Sequence, residues 1–159
     1  MIDSKNKIIF VHIPKTGGTS IAKMIWGKSL TLKEGKHYTI RDYYERYDTD
    51  GYYRFSFVRN PYARAQSYYK YLIQHKNPSR INCSFRDWVF NMHGEPMDLF
   101  LPQIHFVDDS VEIFKFENFT KSLNALNKKI KLMRSNVHNE NKTTDAIKCN
   151  LTDGIKEKL

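Results

Sequence analysis

A lysine, two glycines and three hydroxyl-bearing residues come directly after an apolar run near the start of the chain. The apolar run spans 8–13 and is closed by Pro14. The polar residues that follow are Lys15, Thr16, Gly17, Gly18, Thr19 and Ser20. Backbone N–H groups at the start of a helix attract anions, glycines let the backbone approach them closely, and lysine adds a positive charge. The segment therefore predicts a binding site for a phosphate-like group.

The residue order differs from that of the Walker A phosphate loop. That loop has its lysine after the last glycine, followed by a Ser or Thr that holds Mg²⁺. In this chain Lys15 precedes both glycines, which makes a kinase a weaker interpretation. The plain structural alternative is a glycine-containing turn with a solvated lysine.

A second segment repeats the arrangement of a strand followed by polar groups and a helix. An aromatic and β-branched run over 55–58 ends at Arg59, and Ser67 comes eight residues later, within a predicted helix. Arg64 precedes Ser67 by three residues and lies on the same helix face. A guanidinium and a hydroxyl held in this way suit a phosphate monoester.

Together the two segments resemble the phosphate-binding elements of sulfotransferases that use 3′-phosphoadenosine 5′-phosphosulfate (PAPS). The first segment is P-K-T-G-G-T-S and the second is F-S-F-V-R-N-P-Y-A-R-A-Q-S-Y-Y. The sequence of the second segment is similar to that of the carbohydrate-type branch of the family. The resemblance implies that the backbone of 16–20 binds the 5′-phosphosulfate and that Lys15 steadies the leaving oxygen. It also implies that Arg59 and Ser67 bind the 3′-phosphate.

Sulfuryl transfer requires a base that accepts the proton of the acceptor hydroxyl. In the family this base is a His or Glu between the two phosphate motifs, and His37 lies in a matching K-H-Y-T-I-R segment. Histidine has an ordinary pKa of about 6.5, which suits a base at neutral pH. Glu34 and Asp42 are the alternative bases, and a purely structural His37 preceding a helix is the remaining interpretation.

Several positions depart from the family pattern or have no predicted role. Ala63 stands where the carbohydrate branch often has Asp, so the role of Arg64 is open. The roles of His105 and Glu117 are open as well. The chain stops at Leu159, and we expect it to lack the C-terminal ending usual in the family.

Length and charge limit the classes of protein that fit. The 159 residues predict one sulfotransferase-like domain over 1–159. A net charge of +9 suits an anionic donor and an acidic glycan acceptor, and equally nucleic acid. The basic residues are spread along the chain, which makes nucleic acid the weaker partner. The main rival is a non-catalytic nucleotide or nucleic-acid binding protein that keeps the phosphate sites.

Other sequence features bear on cofactors and location. The spacing of His, Cys and carboxylates predicts no metal site, and the N-terminus has no secretory apolar region. No run of about 18 apolar residues predicts a membrane span. Cys83 and Cys149 read as free thiols, so the prediction is a small, bacterial-like cytoplasmic enzyme. The acceptor's identity and the oligomeric state are not predicted.

Alternating strands and helices must position these groups. Hydrophobic periodicity predicts a P-loop-like three-layer α/β fold with a central parallel sheet and helices on both faces. Asn60 and Pro61 suit the N-cap and first position of the helix that carries Ser67. The predicted strands are 7–13, 53–58 and 111–116, and the predicted helices are 19–28, 39–47, 61–75, 84–93, 119–133 and 152–159.

Overall fold

The structure is a computed structural model that describes residues 1–28, 36–75, 83–91, 101–131 and 149–158. The chain divides into two compact units. The first comprises Met1–Val58 and Asp98–Glu140, and the second comprises Arg59–Met97 and Asn141–Leu159. The prediction of one domain over 1–159 stays a prediction.

A four-stranded sheet forms the centre of the first unit. Three of its strands are parallel, with Val11 opposite Ser56 and Val58 opposite Lys115. The fourth is antiparallel to its neighbour, so the sheet is mixed and the prediction of a parallel sheet holds for three strands only. In spatial order the strands are β1 (Ile2–Asp3), β2 (Ile8–Val11), β3 (Tyr53–Val58) and β4 (Glu112–Lys115).

The sequence pattern does not reveal β1 because that strand has only two residues. Two residues cannot show the alternation on which strand prediction depends. In the structure Ile2 pairs with Ile9, and the Asp3 carboxylate accepts a hydrogen bond of 2.7 Å from the indole N–H of Trp26.

Helices cover both faces of the sheet. Ile8 and Phe10 point to one side and Ile9 and Val11 to the other, as the alternation of side chains along a strand requires. The first side packs against α1 (Gly18–Trp26) and α5 (Phe119–Ile130), and the second packs against α2 (Ile40–Arg46).

The carboxyl ends of the three parallel strands lie along one edge of the sheet. The chain leaves β2 at His12, and it leaves β4 into a short 3-10 helix over Phe116–Asn118. In open α/β sheets this edge is where ligands bind. The loop predicted to bind phosphate therefore begins at the expected edge.

The second unit is helical in its described part. Its first helix begins after Asn60, whose side-chain oxygen accepts hydrogen bonds from the backbone N–H groups of Tyr62 and Ala63 at 3.0 and 3.2 Å. The predicted N-cap is thus confirmed. The helices are α3 (Pro61–His75), α4 (Phe85–Phe90) and α6 (Asp153–Lys158). The bounds of α3 are those predicted, and the other two differ from prediction by three residues at most.

Candidate functional site

The loop after β2 has an unusual backbone. Lys15 has a φ of 68° and Gly17 a φ of 84°, so both residues adopt the left-handed conformation. Glycine adopts it readily, whereas lysine does so rarely and at a cost. Residues held in such conformations are concentrated at ligand sites, and this one lies at the ligand-binding edge of the sheet.

The first turn of α1 has no side-chain cap. Its N-cap is Gly17, which has no side chain that could accept a hydrogen bond from the first N–H groups of the helix. Ser, Thr, Asp or Asn normally fills this role. The N–H groups at this end, together with the positive end of the helix dipole, form a suitable environment for an anion.

The two glycines are required by their neighbours. A Cβ on Gly17 would lie 2.7 Å from the ring of Phe116, and a Cβ on Gly18 would lie 1.8 Å from the imidazole of His12. Both distances are far below ordinary van der Waals contact. The loop is therefore packed tightly between an aromatic ring from the end of β4 and an imidazole from the end of β2.

The three hydroxyl residues of the loop differ in their surroundings. The hydroxyl of Thr16 is fully buried and donates to the carbonyl of Ile13 at 2.8 Å. Its proton is therefore committed to the loop itself. Ser20 is buried as well, and Thr19 is partly exposed.

His12 is a buried neutral histidine. Burial lowers its pKa well below the usual range, and the nearby His37 and Lys36 lower it further. Its ring stacks on Phe10 with a centroid separation of 5.7 Å. Within the described residues its Nδ1 has no hydrogen-bond partner, a deficit that costs about 1–3 kcal/mol in a buried group.

His37 lies directly against His12. The two ring centroids are 4.9 Å apart, and Nδ1 of His37 is 3.3 Å from the backbone carbonyl of His12. A carbonyl can only accept, so in this hydrogen bond Nδ1 carries the proton. The neutral imidazole then has its lone pair on Nε2, which is the form that a base requires.

Of the two alternative bases, Asp42 and Glu34, only Asp42 lies within the described residues. The carboxylate of Asp42 accepts hydrogen bonds from the backbone N–H and the hydroxyl of Thr39, both at 2.7 Å. This is a capping box at the start of α2, which ties the carboxylate to a structural task. Glu34 lies outside the described residues.

The predicted 3′-phosphate residues belong to the second unit. Arg59 and Ser67 are both partly exposed, Arg59 directly before the N-cap of α3 and Ser67 within that helix. Arg64 is only 4% exposed. Burial lowers the pKa of its guanidinium to about 10, so the group remains a cation at neutral pH.

Sequence reasoning missed two contacts in the first unit. Neither the packing of Phe116 on Gly17 nor the pairing of His12 with His37 was predicted. A signal existed for the first, since the residues after parallel strands share one edge, and Phe116 follows β4 directly. Glu117 is exposed beside it, and its role stays open.

The described residues contain neither a metal-binding cluster nor a membrane-spanning helix. Within these residues no group of three or more His, Cys, Asp or Glu side chains could hold a metal ion. In the same part of the chain, none of the helices combines the length and apolar character needed to cross a membrane.

Comparison with known proteins gives a single finding. Residues 1–157 match the model of a protein family described as "Sulfotransferase family". No curated protein and no solved structure matches the chain.

Proposed function

This chain belongs to the sulfotransferase family, and on that premise we propose that it transfers a sulfuryl group from PAPS to a hydroxyl of a carbohydrate. Membership supports sulfuryl transfer and an acceptor that bears a hydroxyl. The donor, the acceptor class and the residue roles below are the proposal. We also propose that the fold is P-loop-like and that the enzyme is cytoplasmic.

One observation carries the proposal. His37, a histidine with Nδ1 bonded to a carbonyl, lies against His12, and the tightly packed glycine loop that follows His12 leads into a helix without a side-chain cap. An anion site and a base whose lone pair is on Nε2 are the two components that sulfuryl transfer to a hydroxyl requires. The two components come from opposite ends of the connection between β2 and α2.

The proposed reaction is a direct displacement at sulfur. The acceptor oxygen attacks the sulfur atom while its proton passes to Nε2 of His37. The bond between sulfur and the bridging oxygen of the phosphosulfate breaks, and 3′-phosphoadenosine 5′-phosphate leaves. Lys15 stabilises the negative charge that develops on the departing oxygen. The backbone N–H groups of 16–20 hold the phosphosulfate.

Arg59 and Ser67 are proposed to bind the 3′-phosphate. The proposal rests on their spacing and on the family resemblance, with support from the confirmed N-cap that begins α3 after Arg59. A charged hydrogen bond contributes about 1.5–3 kcal/mol. We therefore expect Arg59→Ala to weaken binding of the desulfated product by about 10- to 100-fold.

Calorimetric titration tests the donor site. The purified chain is titrated with 3′-phosphoadenosine 5′-phosphate, 5′-AMP and ATP, each with and without Mg²⁺. We expect tight, metal-independent binding that requires the 3′-phosphate. Arg59→Ala should remove that preference and leave 5′-AMP binding unchanged. Arg86→Ala removes the same charge from the exposed surface of α4 and serves as the matched control.

Sulfate transfer tests the reaction. Labelled PAPS is offered with unsulfated glycosaminoglycan chains and, as a control of another class, a simple phenol. We expect His37→Ala to lower kcat by about 10²- to 10⁴-fold with unchanged product binding and partial rescue by added imidazole. A chain that binds nucleotides without any preference for a 3′-phosphate would refute the sulfotransferase proposal and favour a non-catalytic nucleotide or nucleic-acid binder.

A further inference from the structure

His12 occupies a confined position between the loop and the proposed base. Its side chain is 4% exposed, with Phe10 stacked on it and His37 packed at 4.9 Å. The ring also fills the space in which Gly18 would carry a Cβ. The imidazole therefore has little freedom to rotate.

His12 contacts neighbouring residues of the segment that precedes α2. Its backbone carbonyl accepts a hydrogen bond from Nδ1 of His37 at 3.3 Å, and its ring faces the backbone of Lys36, which raises the His12 pKa against the larger effect of burial. The ring also packs on the ring of His37. His12 thus contacts Lys36 by its side chain and His37 by both its ring and its main chain.

We infer that His12 is a positioning residue, which fixes the tautomer and orientation of His37 relative to the glycine loop. The inference rests on the proposed role of His37 as the base. The carbonyl of His12 keeps the His37 proton on Nδ1, and the imidazole of His12 keeps the 36–37 backbone within reach of that carbonyl. Because the loop begins immediately after His12, this one residue determines where the base lies relative to the anion site.

Packing alone does not explain a histidine here. A hydrocarbon side chain would pack there without burying an unpaired nitrogen. The polar ring is accounted for by its N–H, which faces Lys36. Replacing the ring by phenylalanine removes that donor and retains the backbone carbonyl and an aromatic ring, which is slightly larger than the imidazole.

Histidine NMR tests the inference without any acceptor. The protein is labelled with ¹⁵N-histidine, and long-range ¹H–¹⁵N spectra report which ring nitrogen carries the proton. His37→Ala identifies the His37 signals. We expect His37 to carry its proton on Nδ1 in the native protein and to lose that preference in His12→Phe. An Nδ1–H tautomer that persists unchanged in His12→Phe would overturn the inference.

A second pair of variants covers a His12→Phe that fails to fold. His12→Gln keeps an N–H donor at this position, whereas His12→Leu has none. We expect His12→Gln to preserve the His37 tautomer and His12→Leu to lose it. Identical behaviour of the two variants would also overturn the inference.

Product binding distinguishes positioning from loop shaping. We expect His12→Phe to leave the affinity for 3′-phosphoadenosine 5′-phosphate within a factor of about two, because His37 acts on the acceptor side. A parallel loss of affinity and of the tautomer would assign His12 to the shape of the loop and refute positioning. Native protein without affinity for this nucleotide would instead refute the proposed function, whatever the NMR result.

Discussion

Replacing Gly18 by alanine is a sharp test of how the site is packed. The new Cβ would lie 1.8 Å from Cδ2 and 2.0 Å from Nε2 of His12. Optimal carbon contacts are about 3.5–4.0 Å, so the imidazole must move by more than an ångström. The ring is buried between Phe10, His37 and the helix, and a movement of that size disturbs all three contacts.

Two opposing effects decide the magnitude. Alanine is favoured over glycine in a helix by up to about 1 kcal/mol, and Gly18 is the first residue of α1. Overpacking at a dense site typically costs about 1–3 kcal/mol. Because the overlap involves a confined ring, overpacking outweighs propensity, with a net loss of about 1–2 kcal/mol. For a chain of this size the melting temperature falls by about 2–8 °C.

Thermal unfolding of three variants isolates the cause. Gly154 in α6 is the matched control, because a Cβ there would meet only Phe90, at 4.0 Å. We expect Gly154→Ala to be neutral or stabilising. In a His12→Ala background, Gly18→Ala should also be neutral or stabilising, because the imidazole is gone.

The combination of variants allows a clear refutation. If Gly18→Ala raised the melting temperature as Gly154→Ala does, the imidazole would not be confined in the way described. If Gly18→Ala were equally destabilising with and without His12, its cost would arise elsewhere than at the ring.

Three further predictions concern the same loop. Gly17→Ala should lower the urea midpoint more than Gly51→Ala. Both glycines have positive φ, so an alanine at either position would bear about 1–2 kcal/mol of strain. Only at Gly17 would the new Cβ also meet an aromatic ring. Thr16→Val should lower the melting temperature by a few degrees, because losing the hydroxyl donor to the carbonyl of Ile13 costs about 1–3 kcal/mol of stability. Thr16→Ser should retain most of the stability, and equal melting temperatures of the two variants would contradict this role of the hydroxyl. Because the pKa of His12 is lowered in the folded protein, the unfolded chain binds the proton first. Stability is therefore fully present above pH 6.5 or so and declines as the pH falls toward the lowered pKa, by at most about 1.4 kcal/mol per pH unit. His12→Gln should flatten that decline in denaturant titrations at several pH values, and an unchanged slope would mean that another group titrates.

The sequence predicted the local elements well because each has a local physical cause. Apolar runs closed by proline or arginine marked β2 and β3, and Asn60 marked the start of α3. The two-residue β1 was missed because its pairing with β2 is decided by contacts between separate segments. The bounds of α4 were predicted too long at the C-terminal end, because Gly94 and Pro96 are the first strong stop signals there, whereas the helix already ends at Phe90.

The sequence suggested a composition for the candidate site and said little about its arrangement. The residue types named Lys15, the glycines and His37, since each suits a step of the chemistry. Nothing in the sequence indicated that the hydroxyl of Thr16 is used within the loop. Its donation to Ile13 depends on the turn that the left-handed Lys15 creates, and local propensity does not predict a left-handed lysine.

By itself the sequence determined which groups are available and which elements carry them, because glycine flexibility, helix capping and strand alternation act over a few residues. Tertiary structure decided which of these groups meet. His12 and His37 are 25 residues apart in the chain, and their contact exists because α2 returns to the carboxyl end of β2. The neutral state of His12 has the same origin, since burial is a property of the folded protein. The residue types thus suggested the chemistry, while packing at the end of the sheet determined the geometry of the candidate site.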